Sequence, residues 1–321
     1  MNILYINGDH MLKTKRKKFR LIRREEIALY IMAAPVTIFL LIWCYAPMAG
    51  LIMAFQNLDL RKGIMASPFV GLKNFEFLFS TTDAFVITRN TVLYNLAYIT
   101  VNLFLAVSLA LLLSSIRSPR SGKIMQTVYM MPYFLSWAAV QICVYAFLDR
   151  NNGLVNQSIM MFTGDKSLTS WYQYLPLWPP LLVGINAWKG VGYQTVLYLA
   201  VISGISTDYY EAAMIDGAGK LKQALYITIP HLRFIISISL IMAMGGIVRG
   251  DFGLHFTVTR DTGMLYPVVD IIDTYIYRGL IKLNNIGMST AAGLYQSTVG
   301  FVMVFFANWV VTKIDSDSAM F

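Results

Sequence analysis

Apolar residues in this chain gather into six runs, separated by polar stretches rich in turn residues. The runs cover 27–55, 91–116, 124–147, 181–205, 232–248 and 291–312. A helix needs about 20 predominantly apolar residues to cross a bilayer, so the pattern predicts an all-α membrane protein with six transmembrane helices. Pro35 and Pro47 fall inside the first run and predict a kink, or a span with a bent outer end. The fifth run is short and closes on Gly245-Gly246.

Composition agrees with the pattern. Of 321 residues, 57% are hydrophobic and 13% charged, against about a quarter charged in soluble domains. The net charge of +9 is not arranged as a nucleic-acid patch: eight of the 26 basic residues lie between Lys13 and Arg24. No short apolar core or cleavage site follows this basic run, so a removed signal peptide is not expected, and Met11 is an alternative start to Met1. The link from 117 to 123 carries three basic residues and no acid. Placing both basic segments in the cytoplasm fixes the other loops by alternation. Residues 211–230 and both termini then fall inside, while 56–90, 148–180 and 249–290 fall outside. The expected organisation is a basic cytoplasmic tail (1–26), a first span with its outer loop (27–90), a core permease domain (91–312) with an inner loop over 206–230, and a cytoplasmic tail (313–321). Cys44 and Cys143 each sit in an apolar run and read as small buried hydrophobes. His10, His231 and His255 are too scattered for a metal site.

The inner loop, EAAMIDGAGKLKQALYITIP, is the most informative stretch. Asp216 and Gly219 flank Gly217 as in a turn, and glycine tolerates the positive φ that ends a helix. Pro230 can open a helix in its first turn. The spacing predicts two short helices joined at Gly217. Taken alone, such a loop also fits an amphipathic segment resting on the membrane surface.

At these residues the chain resembles the integral-membrane permease subunits of ABC importers. Glu211, Ala212, Ala213, Gly217, Ile227 and Pro230 fall in register with that family's loop motif, and Ile229 replaces its Leu. The resemblance implies a type I ABC importer permease fold. It further implies that this loop docks into a separate ATPase, with Glu211 pairing with a basic residue and Met214, Ala218 and Leu221 filling the cleft. Tyr45, Pro47, Gly50, Ala54, Phe55, Val70, Gly71, Asn74 and Phe75 resemble the branch that imports oligosaccharides released from complex polysaccharides. So do Asn90-Thr91, residues 270–279, residues 291–296 and Asn308. The branch implies a plant-polysaccharide fragment such as pectin or rhamnogalacturonan. It also implies an ATPase dimer, a second homologous permease and an extracytoplasmic solute-binding (lipo)protein. The long, aromatic-rich outer loops either receive that protein or cap the bundle.

A permease needs a hydrated route rather than a catalytic centre, and polar side chains within spans tend to face the bundle interior. The candidates are Asn95, Asn102, Gln141, Asn186, Lys189, Gln194, Gln296 and Asn308, with Trp137, Tyr145, Trp188 and Tyr193 as aromatic platforms for sugar C–H faces. Each amide also fits an interhelical hydrogen bond. Lys189 can line the route, snorkel outward, or pair with an acid such as Asp149. Gly217-Ala218-Gly219-Lys220 lacks the spacing and the following Ser or Thr of a phosphate loop, so ATP and Mg²⁺ belong on the partner ATPase and no cofactor is expected here. An ion-coupled secondary transporter is the alternative, but it needs carboxylates in mid-span, which the runs lack. A membrane enzyme needs clustered acids, and Asp251, Asp261, Asp270 and Asp273 have no ligand spacing.

Overall fold

The computed structural model describes residues 24–116, 118–164 and 167–314; most of the basic tail, Arg117 and residues 315–321 lie outside the described residues. Contacts divide the chain into two units, Met1–Gly50 and Leu51–Phe321.

In the first unit, α1 (Arg24–Leu40) carries Pro35 and runs into a π-turn over Leu41–Tyr45. There the Ala46 amide reaches back five residues to the Leu41 carbonyl. The widened turn comes just before Pro47, whose ring would press on the carbonyl four residues earlier in a regular helix. The whole apolar stretch Ile27–Phe55 is helical, and none of its most apolar window is buried.

The second unit is built from α2 (Thr82–Ser114), α3 (Pro119–Met130), α4 (Trp137–Leu148), α5 (Leu154–Thr163), α6 (Trp178–Ser203), α7 (Thr207–Ile215), α8 (Lys220–Gly245), α9 (Ile272–Ile281) and α10 (Ile286–Ile314). No strand occurs among the described residues, only a bridge between Gln56 and Phe69. The frame is the α2–α6 pair, closed by Ala106, Ala110, Ala187 and Val191 with Tyr198 and Leu232. Small residues let two backbones approach where lipid gives no hydrophobic drive. The Asn102 amide bridges the pair to Asn186 Oδ1 at 2.9 Å. At the α3–α6 contact no side chain intervenes: a Cβ on Gly192 would lie 1.9 Å from the Tyr129 carbonyl oxygen.

Among the described residues four helices are long and apolar enough to span, or five if one bent pair counts as a single span. The expected six differ for two reasons. The third run is broken: Met131–Phe134 tightens to a 3₁₀ turn around Pro132, Leu135 is extended, and Ser136 caps α4 through the Ala139 amide. Its two halves meet at 94°. The fourth run, α6, has 26 residues, but Asn186, Lys189 and Gln194 dilute its apolarity.

The expected outer loop 249–290 is not an open loop. Its π-turn Gly253–Val258, together with Leu265, Val269 and Ile271, packs into one core with Tyr94, Tyr98, Val140, Trp178 and Leu182. Asn90 donates to the Asp270 carbonyl at 3.0 Å, and Thr91 Oγ1 accepts from the Ile272 amide at 3.0 Å. Two segments singled out in the sequence thus clasp one another. Asn74 similarly donates to the carbonyls of Ala54 and Gln56, at 3.0 and 2.8 Å.

Candidate coupling elbow and polar route

The elbow begins at α7, capped by Ser206, whose hydroxyl accepts from the Asp208 amide. Gly217, at φ +76°, ends it. The Ala218 amide donates to the Ala213 carbonyl at 2.8 Å and the Gly217 amide to Met214 at 3.1 Å. These two bonds form the closure in which a left-handed residue satisfies the last helix carbonyls. The distance from Ala213 to Gly217 in the motif is therefore a geometric requirement.

The second arm is not the separate short helix expected after Gly217, although Pro230 does stand in the first turn of the α-helical stretch Ile229–Gly245, as expected. The arm is continuous from Lys220 to Gly245, with Pro230 inside it. A π-turn over Ala224–Thr228, closed by the Ile229 amide on the Ala224 carbonyl, precedes the proline as at Pro47. The arms are braced. Gln223 is buried and donates to the Ala218 carbonyl at 3.0 Å, Tyr210 bonds the buried Thr228 hydroxyl at 3.0 Å, and Tyr209 packs on His231.

Glu211, Ala212, Met214, Asp216, Gly217, Leu221 and Pro230 are exposed, while Ala213, Ala218 and Ile227 are half-buried. Ile215, 87% exposed, and Tyr226, 78% exposed, extend the apolar face beyond the residues singled out in the sequence. Exposed apolar patches of this kind mark protein–protein or membrane interaction sites. The elbow lies at the end of α2 that carries Ser114 and Ser115, which line a recess with Thr207, Tyr210 and Lys220. It therefore shares that end with the link that follows α2, whereas Asn90 and Thr91 meet residues 270–272 toward the opposite end.

The polar route candidates divide into two groups. Asn95, Asn102, Asn186 and Gln194 line one cavity of about 270 Å³ between α2, α6 and α8, with Ser239 and Asp251. Asn95 donates to the carbonyls of Ile247 (3.0 Å) and Arg249 (2.8 Å), just past the end of α8. The second group lies along the bend of the third run. Lys189 donates to the Tyr133 carbonyl at 2.7 Å and stands over the rings of Tyr133 and Trp137, at 5.3 and 5.1 Å. It does not pair with Asp149. Tyr193 stacks on Tyr133 at 4.8 Å, Trp188 is exposed, and Gln141 is half-buried on α4. Tyr145 lies apart, under the Arg260 guanidinium at 4.3 Å. Gln296 is buried and structural in its contacts, donating to the Val248 carbonyl at 2.8 Å and to Asp273 at 3.1 Å.

Sequence reading missed the acids of 249–290 as interior groups. Asp251 accepts from the Leu254 amide at 3.1 Å; burial pushes its carboxyl up, and that amide and Lys189 draw it back. Arg278 bridges Asp270 and Asp261 while stacking on Tyr266, and Lys282 reaches Asp261 at 2.7 Å. His255 donates from Nδ1 to the Val269 carbonyl at 2.7 Å, so Nε2 accepts the Tyr98 hydroxyl at 2.9 Å. Burial lowers its pKa from 6.5 to about 4, leaving it neutral. Among the described residues no group of three potential ligands is placed to hold a metal.

Residues 102–316 match the family model of the binding-protein-dependent transport system inner membrane component. The chain belongs to that family. It is a permease, a multi-pass membrane subunit of a transport family. The polygalacturonan/rhamnogalacturonan transport system permease protein YteP of Bacillus subtilis (strain 168) is 32% identical over 309 residues, covering 95% of this chain and 94% of that protein. Protein LplB of the same organism is 31% identical over 293 residues, covering 90% of each. A chain of a bacterial ABC transporter that imports the acidic polysaccharide alginate superposes with TM-score 0.82 at 28% identity, covering 91% of this permease and 97% of that chain. A second structure holds that transporter with an alginate pentasaccharide-bound periplasmic protein; it gives TM-score 0.80 at 28% identity, covering 90% and 96%.

Proposed function

We propose that this permease forms half of the translocation path of an ATP-driven importer of oligosaccharides from plant polysaccharides, pectin or rhamnogalacturonan fragments among them. Its partners are a second, homologous permease, a dimer of ATPase subunits carrying ATP and Mg²⁺, and an extracytoplasmic solute-binding lipoprotein. All six expected spans cross the membrane, with both termini and the elbow in the cytoplasm. The named relatives support the sugar class, and the alginate complex supports a binding protein as partner.

The observation that carries the mechanism is the continuity of α8. Its first turn is the second arm of the elbow; its last turns contribute Ser239, Leu240 and Ala243 to the polar cavity. Just beyond, the carbonyls of Ile247 and Arg249 hold Asn95. Closure of the ATPase would push the exposed face of Met214, Ile215 and Leu221, and a braced elbow would pass that displacement along one helix to the route. Asn95, Asn102 and Gln194, together with the Lys189 group, would meet the sugar's hydroxyls and ring faces. A carboxylate-coupled secondary transporter has family membership against it.

The test is uptake into vesicles bearing both permeases and the ATPase, with binding protein and labelled oligosaccharide outside. Uptake should require ATP and vanish in its absence. Uptake driven by an ion gradient without ATP would overturn the reading.

A further inference from the structure

Two cations of this chain stand on aromatic rings with no acid bonded to them. Lys189 lies over Tyr133 and Trp137; Arg260 lies over Tyr145 at 4.3 Å and Tyr172 at 5.9 Å. Among the described residues neither forms an ion pair. Arg260 is exposed, and its guanidinium donates no hydrogen bond to any described residue. The backbone puts it there. Arg260 and Asp261 are both left-handed, at φ +59° and +46°, a costly conformation for L-residues that persists where the surroundings hold it. It sends the two side chains apart, Asp261 to Arg278, Lys282 and Tyr266, Arg260 to the tyrosines. Asp149, at the end of α4, is held by the Asn151 and Asn152 amides and the Tyr145 hydroxyl, not by Arg260. Trp137, Gln141 and Tyr145 follow one another at four-residue steps, on one face of α4. The π-turn Gly253–Val258 runs alongside: a Cβ on Gly253 would fall 2.0 Å from the Trp137 ring, and Arg260, just past the turn, covers Tyr145. One helix face thus carries a cation on aromatics at each end, about 12 Å apart along the axis, with an amide midway.

A cation held on a ring face with N–H groups unspent favours a ligand that accepts. Lys189 has given one N–H to the Tyr133 carbonyl and keeps two; Arg260 keeps its whole fork. A carboxylate only accepts, and a guanidinium takes it bidentately. The rings beneath both cations suit the C–H faces of a sugar. We infer that this face of α4 is a lane for acidic sugar units. Arg260 receives the carboxylate of a uronate unit at the end of α4 that enters residues 148–180, and Lys189 receives a second carboxylate at the bend. Gln141, between them, meets hydroxyls. The inference rests on the permease reading and sharpens its substrate class to oligosaccharides that carry uronate units, with Arg260 as the residue that selects for charge.

The test measures uptake into vesicles bearing the complete importer, with a labelled oligogalacturonate and its fully methyl-esterified form, equal in length, each at saturating binding protein. The ester removes the charge and keeps the sugar backbone. The wild type should prefer the free acid. Arg260→Gln should cut that preference about tenfold, the scale of one lost charge-assisted hydrogen bond, with ester uptake and membrane abundance unchanged. Arg260→Lys, which keeps the charge without the fork, should retain part of the preference, and Lys189→Met should lower it as Arg260→Gln does. An unchanged preference in Arg260→Gln would overturn the inference and leave the permease reading intact. An equal loss of both compounds would do the same, placing Arg260 under the binding protein instead of the sugar. Wild-type uptake of the ester alone, or of neither compound, would overturn the uronate class. Uptake of either compound without ATP would overturn the permease reading itself.

Discussion

Gly217→Asp separates folding from coupling. Gly217 sits at φ +76°, and a Cβ there would meet nothing within 4 Å. The cost within the chain is then the left-handed backbone alone, about 1–2 kcal/mol for an L-residue and less for Asp, which visits this region. Domains with about 5–15 kcal/mol of stability withstand that loss. The variant should reach the membrane at near wild-type abundance. In the assembled importer, the same carboxylate would sit on the apolar docking face beside Met214 and Ile215. Burying an unpaired charge there costs several kcal/mol, and each 1.4 kcal/mol is about tenfold in affinity. ATP-dependent uptake should fall more than tenfold, with the ATPase retained poorly on purification. Gly164→Asp is the matched control. Gly164 has φ +71° and equally open surroundings, at the end of α5 and away from the elbow. Full uptake in Gly217→Asp, or an equal loss in Gly164→Asp, would refute the reasoning.

Four further outcomes follow from the geometry. Lys189→Met should raise the oligosaccharide concentration for half-maximal ATPase stimulation by about three- to tenfold, on a cation–π scale of about 0.5–2 kcal/mol, without lowering membrane abundance; unchanged affinity would remove Lys189 from the route. Gly192→Leu should lower abundance and melting temperature in detergent, because the side chain has no room beside the Tyr129 carbonyl; overpacking of this kind costs about 1–3 kcal/mol or more. Tyr210→Phe removes the bond to Thr228 and should cost about 1 kcal/mol, with ATP-driven uptake falling more than abundance. His255 predicts an acid-sensitive fold. Above pH 6.5 both states leave it neutral, but below that the unfolded chain takes up a proton that the folded one refuses until about pH 4. Stability to unfolding should decline across that window and level off beneath it, and His255→Gln should flatten the profile.

Much of this was legible from residue order. The elbow's corner was visible because Gly217 is a local requirement, set by the carbonyls of Ala213 and Met214 a few residues away. The break in the third run was written in Pro132 and Ser136, yet a continuous apolar composition hid it. Pro230 was legible as the opening of the stretch Ile229–Gly245, but the π-turn before it, which has no composition signature, joins that stretch to the second arm in one continuous helix. The interior of 249–290 was the largest omission. Its Asp270, Asp273 and Arg278 look like a solvated loop in sequence, and only pairing across 8 to 23 residues and with Gln296 makes their burial affordable. The cavity was half visible: Asn95 and Asn102, seven apart, share a face, but Asp251 arrives from a segment outside the apolar runs.

Where α3 crosses α6 at Gly192, the two main chains touch with nothing soft between them. Side chains can shear past one another by changing rotamer; bare peptide planes cannot. Tilting about the crossing therefore disturbs less packing than sliding along it. Lys189 sits one turn along α6 from that point, so a small tilt there would swing its ammonium off the aromatic pair by a longer arc than the helix itself travels.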